Sequence, residues 1–196
     1  MKLLKVYKNY DEYLSHQAGR YLNKNMRKKF LRNFDTRLEK YTKRFAILNE
    51  KGYIKKDQNI LCLGARFGEE CLAFQKYGLK TKGIDLVPTP PLVEKGDFMK
   101  LNVANEYDVI YTNSIDHALN INVFLNNVHK ALKKDGLFIT DIFIANDDKL
   151  EVNYFEDRQS IIKCCENNFK FLEMFDKRPN YYNEREFILY VFQKIV

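Results

Sequence analysis

The sequence of 196 residues has no apolar run as long as a membrane span, and no secretory signal opens it. Its four cysteines lack the spacing of a metal site, and the adjacent Cys164 and Cys165 are a poor start to a disulfide framework. We therefore expect free thiols in a reducing cytoplasm, no membrane partner and no bound metal. A chain of this length forms one domain, residues 1–196, with a full core and no room for a second.

Acidic residues are in the minority, because 33 lysines and arginines outnumber 26 acids and give a net charge of +7. This balance favours an anionic partner, although an AT-rich genome would also enrich lysine. Many of the basic residues lie between residues 20 and 51, where apolar spacing predicts a long helix with a bend near Asn33 to Thr36. The basic face of that helix is either solvated surface, or it attracts an anionic substrate or nucleic acid.

Residues 59–86 show the pattern of a strand, a helix and a second strand. The apolar run Asn59–Leu63 stops at a glycine turn, Gly64–Gly68, and helical spacing then continues to Gly78. The second strand ends at Asp85. A βαβ unit with a glycine turn after its first strand and an acid at the end of its second binds a ribose-bearing cofactor.

The charge beside the glycine turn indicates which cofactor is bound. A dinucleotide places its pyrophosphate at the N-terminus of the first helix, where this chain has Glu69 and Glu70. These two carboxylates suit the helix dipole but would repel a pyrophosphate, and Glu69 also replaces the third glycine of the dinucleotide motif. The pattern therefore favours a cofactor without phosphate, such as S-adenosylmethionine, whose sulfonium is positive.

Four motifs between Asn59 and Asp141 resemble those of the class I S-adenosylmethionine-dependent methyltransferases, especially the methyltransferase type 11 group. They are the glycine turn GARFG, the IDL that contains Asp85, the GDF at residues 96–98, and DVIYTNS at residues 108–114 with the helix and KDG turn after it. All four occur in the family's order and spacing. The sequence departs from the family at two positions. The family has an acid that holds the methionine amine where this chain has Cys62, and it has a glycine in the loop where this chain has Arg66.

The resemblance implies an α/β fold, with a doubly wound Rossmann-like sheet of seven strands that ends in an antiparallel pair. We expect the fourth strand at residues 108–112, the fifth at residues 137–143, and the antiparallel pair at residues 169–175 and 187–195, joined by the polar stretch 176–185. Residues 1–53 would form a helical lid and substrate segment, and residues 54–196 the cofactor-binding core. Asp85 would hold the ribose hydroxyls and Asp97 the adenine amino group. The implied cofactor contacts are Gly64, Ala65, Arg66, Gly68, Asp85, Leu86, Asp97, Phe98, Asn113 and Ser114. Arg66 either pairs with the methionine carboxylate or is a tolerated surface residue.

Methyl transfer needs alignment of the acceptor, and it needs a general base only when the acceptor starts protonated. His117 beside Asp116, after the fourth strand, is the candidate base, since an imidazole accepts a proton near neutral pH. The alternative is that His117 packs within its loop. In the lid, His16 and Tyr13 either touch the substrate or pack the underside of the lid.

The segment after the fourth strand reads NSID and lacks the [DN]-P-P-[YF] signature of nucleic-acid amino methyltransferases. We therefore expect O- or N-methylation of a small polar or anionic acceptor, such as a sugar, a phosphorylated metabolite or a surface-polysaccharide precursor. Two alternatives stay open: an RNA methyltransferase that uses the basic helix, and a non-catalytic cofactor-binding partner subunit. The sequence does not indicate the oligomeric state.

Overall fold

The computed structural model describes residues 1–144, 151–175 and 187–195. The helices are α1 (Tyr10–Leu22), α2 (Lys24–Arg32), α3 (Phe34–Glu50), α4 (Glu69–Gln75), α5 (Ile121–Ala131) and α6 (Arg158–Cys165). The strands are β1 (Lys2–Leu3), β2 (Asn59–Leu63), β3 (Lys80–Asp85), β4 (Val93–Lys95), β5 (Tyr107–Thr112), β6 (Leu132–Phe143), β7 (Asn153–Tyr154), β8 (Phe169–Phe175) and β9 (Phe187–Lys194). Short 3₁₀ turns lie at Phe98–Lys100 and Ile115–His117.

Seven strands form the main sheet in the order β4-β3-β2-β5-β6-β9-β8. The strands from β4 to β6 are parallel, and β9 runs antiparallel to both β6 and β8. This topology confirms the predicted doubly wound sheet with its terminal antiparallel pair. The strand order reverses between β2 and β5, where Leu63 lies opposite Thr112. Ligands of such sheets bind outside the carboxyl ends of the strands at this reversal.

The predicted helix over residues 20–51 is interrupted twice. The bend expected near Asn33 is confirmed, because α2 ends and α3 begins at that residue. The prediction of one unbroken helix from residue 20 to the bend is wrong, since α1 ends at Leu22 and a separate helix, α2, begins after Asn23. The Asn23 side chain accepts hydrogen bonds from the amides of Asn25 and Met26, so it caps α2 and competes with a continuous helix.

Hydrophobic clusters cover the two faces of the main sheet. On one face, Phe45 of α3 stacks on Phe74 of α4, with ring centroids 3.8 Å apart, and both contact Tyr111 of β5 edge to face. On the other face, α5 and α6 pack together with Tyr13 of α1. The N-terminal helices are therefore part of the core as well as a cover for the strand ends.

Three further features differ from the sequence expectations or extend them. A small sheet pairs β1 with β7, which the sequence did not predict. Strand β6 begins at Leu132 rather than Leu137, and the predicted turn Lys134–Gly136 lies within it at a register shift. The polar stretch expected to link β8 and β9, residues 176–185, lies outside the described residues. Among the helices of the described residues, none has the length and apolar content to cross a membrane.

Candidate functional site

A cleft of about 550 Å³, including its open mouth, lies at the carboxyl ends of β2, β3 and β5 and beneath α1. It is lined by Tyr13, Gln17, Gly64, Arg66, Asp85, Leu86, Gly96, Phe98, Ser114 and His117. Most of the residues predicted for the site are in this set. The predicted residues outside the lining are Ala65, Gly68, Asp97, Asn113, Asp116 and His16.

The glycine turn presents bare backbone to the cleft. Gly64 has φ of 72°, and a Cβ at this position would lie 2.8 Å from Oγ of Ser114. Gly68 also has a positive φ, 83°, and a Cβ there would lie 3.2 Å from a methyl of Val93. The amides of Gly64 and Ala65 both donate to the Ile84 carbonyl, which holds the turn beside the end of β3. These contacts explain why the turn needs glycine at both ends.

Asp85 lies at the end of β3 and faces this turn. One carboxylate oxygen accepts a hydrogen bond from the amide of Arg66 at 3.1 Å, and the other accepts from the amide of Val87 at 2.7 Å. An ionised carboxylate has about four acceptor positions, so each oxygen keeps capacity for a ligand hydroxyl. The backbone thus fixes the orientation of Asp85 within the cleft.

Arg66 occupies the middle of the turn with φ of 40°, in the left-handed region that favours glycine. Its guanidinium lies 5.1 Å from the centroid of the Phe30 ring of α2, and Phe30 stacks on Phe67 at 6.0 Å. The Phe30 ring therefore holds the Arg66 cation at the wall of the cleft.

The two acids after the turn do not project charge toward a ligand as the sequence argument assumed. Glu69 is buried and forms an ion pair with Arg37 of α3. Burial, and then the neighbouring Glu69, raise the pKa of Glu70 to about 8, so Glu70 is largely protonated at neutral pH. The repulsion of a pyrophosphate is therefore weaker than the sequence suggested, while the missing third glycine still disfavours a dinucleotide.

Cys62, which stands at the position of the family's acid, is fully buried and supplies no charge to the cleft. Its thiol is next to Cys71 of α4, and burial followed by Cys71 raises its pKa well above the ordinary value. The cleft thus lacks a carboxylate at this position. The polar groups that line the cleft nearby are the backbone of the glycine turn and the Ser114 hydroxyl.

Asp97 forms a hydrogen bond with α1. One of its oxygens accepts a hydrogen bond from the Tyr10 hydroxyl, and the other accepts from the Met99 amide at 2.9 Å. Burial, and then Asp97, raise the pKa of Tyr10, and the Lys100 ammonium lies 4.3 Å from the centre of the Tyr10 ring. The Asp97 carboxylate therefore helps to hold α1 in place. Its contact with the adenine amino group stays a prediction.

Helix α3 is tied to the end of β5. The Asn113 side-chain amide donates to the Tyr41 hydroxyl at 2.5 Å, and the Ser114 hydroxyl donates to the Asn113 side-chain oxygen at 3.0 Å. Asn113 therefore orients Ser114 toward the cleft and reaches α3 rather than lining the cleft itself.

An ion pair anchors the same helix to β6. Arg44 pairs with the fully buried Asp141 at 2.6 Å, and the Tyr111 hydroxyl donates to the same carboxylate oxygen at 2.8 Å. These charge-assisted contacts fix α3 against the strand ends that form the floor of the site.

Three residues that the sequence predicted for catalysis or substrate contact differ in placement. His117 lines the cleft, and its Nε2 lies 4.0 Å from the carboxylate of the buried Asp116. His16 lies behind the lining, where Nδ1 is 2.7 Å from the Tyr7 hydroxyl. Burial, then Lys5, then His117 lower the pKa of His16, which favours its neutral form. Tyr13 is 1% exposed and forms part of the wall with its ring packed on Tyr7 and Tyr10.

Gln17 and Gly96 line the cleft although the predicted site did not include them. Gln17 lies one helical turn after Tyr13, so the four-residue spacing is the signal that could have identified it. The sequence gives no comparable signal for the contacts of Tyr10 and Tyr41, because these contacts depend on how α1 and α3 pack on the sheet.

Comparison with known proteins identifies relatives by fold. No protein-family model matches the sequence, and no curated protein matches it significantly. The solved structures with a similar fold include 1,6-didemethyltoxoflavin-N1-methyltransferase from Burkholderia thailandensis, with bound 1,6-didemethyltoxoflavin and S-adenosylhomocysteine. The identity is 14% and the TM-score 0.77, over 98% of this chain and 93% of that one.

Two further solved structures show how widely this fold is used. Phosphoethanolamine N-methyltransferase 2 from Haemonchus contortus, in complex with S-adenosyl-L-methionine, is 14% identical with a TM-score of 0.61, over 78% of this chain and 52% of that one. The [4+2]-cyclase SpnF is 10% identical with a TM-score of 0.64, over 79% and 81%. The chain therefore has the Rossmann-like fold of S-adenosylmethionine-dependent methyltransferases. At these identities the likeness establishes the fold, and the cyclase shows that the fold alone does not define the reaction.

Proposed function

We propose that this protein is an S-adenosylmethionine-dependent methyltransferase that acts on the oxygen or nitrogen of a small polar or anionic acceptor. The observation that carries the proposal is the position of Asp85. Its carboxylate lies at the end of β3, is fixed by two backbone amides, and faces bare glycine backbone across the cleft. This arrangement suits a ribose bound beside a cofactor that needs no phosphate-binding helix.

The cleft residues fit this cofactor. When bound, the cofactor would supply a methyl group on a positively charged sulfur. Asp85 would accept the ribose hydroxyls, Phe98 and Leu86 would contact the base, and Arg66 would pair with the methionine carboxylate.

His117 is the residue that would accept a proton from the acceptor. Its imidazole lines the cleft on the side of the β5 end, and its Nε2 lies 4.0 Å from the Asp116 carboxylate. Tyr13 and Gln17 of α1 close this side of the cleft and would exclude water from the acceptor.

The cover provided by α1 favours a small acceptor over a polymer. Tyr13 is buried within the hydrophobic cluster that α5 and α6 share, so α1 is anchored over the cleft. We infer that residues 1–196 form a single domain, in which residues 1–53 complete the acceptor side of the site and residues 54–196 hold the cofactor. An RNA methyltransferase would need the basic surface of α2 and α3 to bind a strand.

A titration of the purified protein with S-adenosylhomocysteine and, separately, with NAD tests the proposal. We expect saturable heat for S-adenosylhomocysteine and no comparable signal for NAD. Tight binding of NAD alone would contradict the proposal. The buried thiol of Cys62 favours the second candidate, a non-catalytic partner subunit, and failure to bind either compound would support that alternative.

A further inference from the structure

A second cavity lies at the elbow, which we define as the junction of α2 and α3 at Asn33. It encloses about 690 Å³, including its mouth, and is lined by Met26, Lys29, Phe30, Asn33, Thr36, Arg37 and Lys40. Three of these lining residues are cations and none is an acid. The elbow therefore brings three cations to one concave space, although the charge of Arg37 is partly balanced by the buried Glu69. Lys40 is the less exposed of the two lysines, since Lys29 lies at the exposed rim.

The cations of the elbow differ in how firmly they are held. Arg37 is fixed, because its guanidinium donates to the Glu69 carboxylate at 2.7 Å and to the Phe30 carbonyl at 2.8 Å. Lys40 is half-buried, and its pKa is lowered by burial first and then by the nearby charges of Arg44 and Arg37. An anion in the elbow would relieve this repulsion between cations.

The elbow adjoins the cofactor cleft through a shared wall. Phe30 lines the elbow, and the Arg66 guanidinium, which lines the cleft, lies 5.1 Å from the centre of the Phe30 ring. Asn33 and Thr36 add uncharged side chains that can donate hydrogen bonds. A small molecule bound in the elbow would therefore lie next to the cleft.

We propose that the elbow binds a phosphate or carboxylate group of a small molecule through Lys29, Lys40 and the fixed Arg37. As an acceptor subsite, this assignment rests on the proposed function, although the same chemistry would bind a free anion. A concave cavity with a half-buried lysine suits a compact anionic group better than the backbone of a nucleic acid, which would spread over the exposed lysines.

The test uses the full chain and two probes, inorganic phosphate and glycerol 3-phosphate, titrated by calorimetry with and without S-adenosylhomocysteine. Lys40→Met and Lys29→Met should each weaken binding by about tenfold, as the loss of one charge-assisted contact predicts. Lys28→Met is the matched control, because Lys28 is exposed on the same helix and does not line the elbow. Binding of S-adenosylhomocysteine should be the same in all three variants.

The outcomes distinguish an anionic group of the acceptor from a free anion. They also distinguish failure of the elbow site from failure of the proposed function. Stronger binding of glycerol 3-phosphate than of phosphate supports an acceptor subsite, and equal binding supports a free-anion site. Absence of binding, or equal losses in Lys28→Met and Lys40→Met, overturns the proposal. Binding of a ten-nucleotide RNA that all three lysine variants weaken equally also overturns it, in favour of a nucleic-acid surface. If S-adenosylhomocysteine fails to bind while the anions bind, the proposed function fails and the elbow site stands.

Discussion

At the scale of single residues, Arg66 shows how this chain departs from the usual glycine turn. Its backbone adopts φ of 40°, and its guanidinium is held over Phe30 at the wall of the cleft. A large side chain in the left-handed region carries a cost of about 1–2 kcal/mol. A contact between this guanidinium and the methionine carboxylate would offset that cost only when the cofactor is bound.

We expect Arg66→Ala and Arg66→Lys both to weaken binding of S-adenosylhomocysteine, since lysine keeps the charge but loses the planar fork. Arg32→Ala, an exposed arginine on α2, serves as the control and should bind normally. Equal affinity in wild type and both Arg66 variants would show that Arg66 does not contact the cofactor.

His117 is the residue on which catalysis, rather than binding, depends in this account. His117→Ala should lower turnover by roughly 10²–10⁴-fold with little change in affinity for S-adenosylhomocysteine. The control is His129→Ala, because His129 lies on α5 away from the cleft and contacts the Ile195 carbonyl at 2.9 Å. The measurement is methyl transfer to acceptors found by screening phosphorylated and hydroxylated compounds. Full activity of His117→Ala would mean that the acceptor needs alignment alone.

The raised pKa of Glu70 predicts that the free energy of unfolding depends on pH. Its pKa is raised from about 4.5 to about 8 by burial, so the folded state retains a proton that the unfolded state loses. The unfolding free energy should therefore fall as pH rises from about 4.5 to about 8, by up to a few kcal/mol. Urea unfolding across this range should show the fall in wild type and a smaller one in Glu70→Gln. The same slope in both proteins would assign the effect to other groups.

At the scale of elements, α3 is both a core helix and a support for the site. Its apolar side holds Phe45 and Leu48 in the core, and its polar side contacts Asn113, Glu69 and Asp141. The helix thereby links the glycine turn to the ends of β5 and β6.

The buried pair of Arg44 and Asp141 should carry more stability than an exposed pair on the same helix. Arg44→Met leaves a fully buried carboxylate without its cation and should cost about 3–5 kcal/mol. Lys43→Met breaks the exposed pair between Lys43 and Glu39, whose side chains are 74% and 65% exposed, and should cost much less because solvent screens the pair. Urea unfolding of both variants measures the difference, and equal small losses would contradict it.

The elements that the sequence predicted well are those with a continuous local signal. Strand β2 was predicted at its observed bounds, because its buried run stops at a glycine. The β1–β7 pair was not predicted, since it joins strands of two residues that are distant in the chain. The break at Asn23 was missed because the apolar spacing continues across this residue. The spacing does not reveal that the Asn23 side chain caps α2.

At the scale of the whole molecule, the fold brings distant segments to one edge of the sheet. The glycine turn and Asp85 were predictable, because they lie directly at strand ends that a parallel sheet aligns. The contacts of Tyr10 with Asp97 and of Tyr41 with Asn113 were not, because they join helices to loops across the packed molecule. The elbow cavity likewise depends on the angle between α2 and α3, so the sequence showed only a basic helical face.

The proposed function depends most directly on whether the cleft at the end of β3 holds the ribose of S-adenosylmethionine. The measurement is the affinity for S-adenosylhomocysteine of wild type, Asp85→Ala and Glu94→Ala, the last an exposed acid on the neighbouring β4. Asp85→Ala should lose about 1–3 kcal/mol of binding free energy, because the ribose hydroxyls lose their acceptor, and Glu94→Ala should bind like wild type. If Asp85→Ala binds S-adenosylhomocysteine as tightly as wild type does, the ribose does not lie at Asp85.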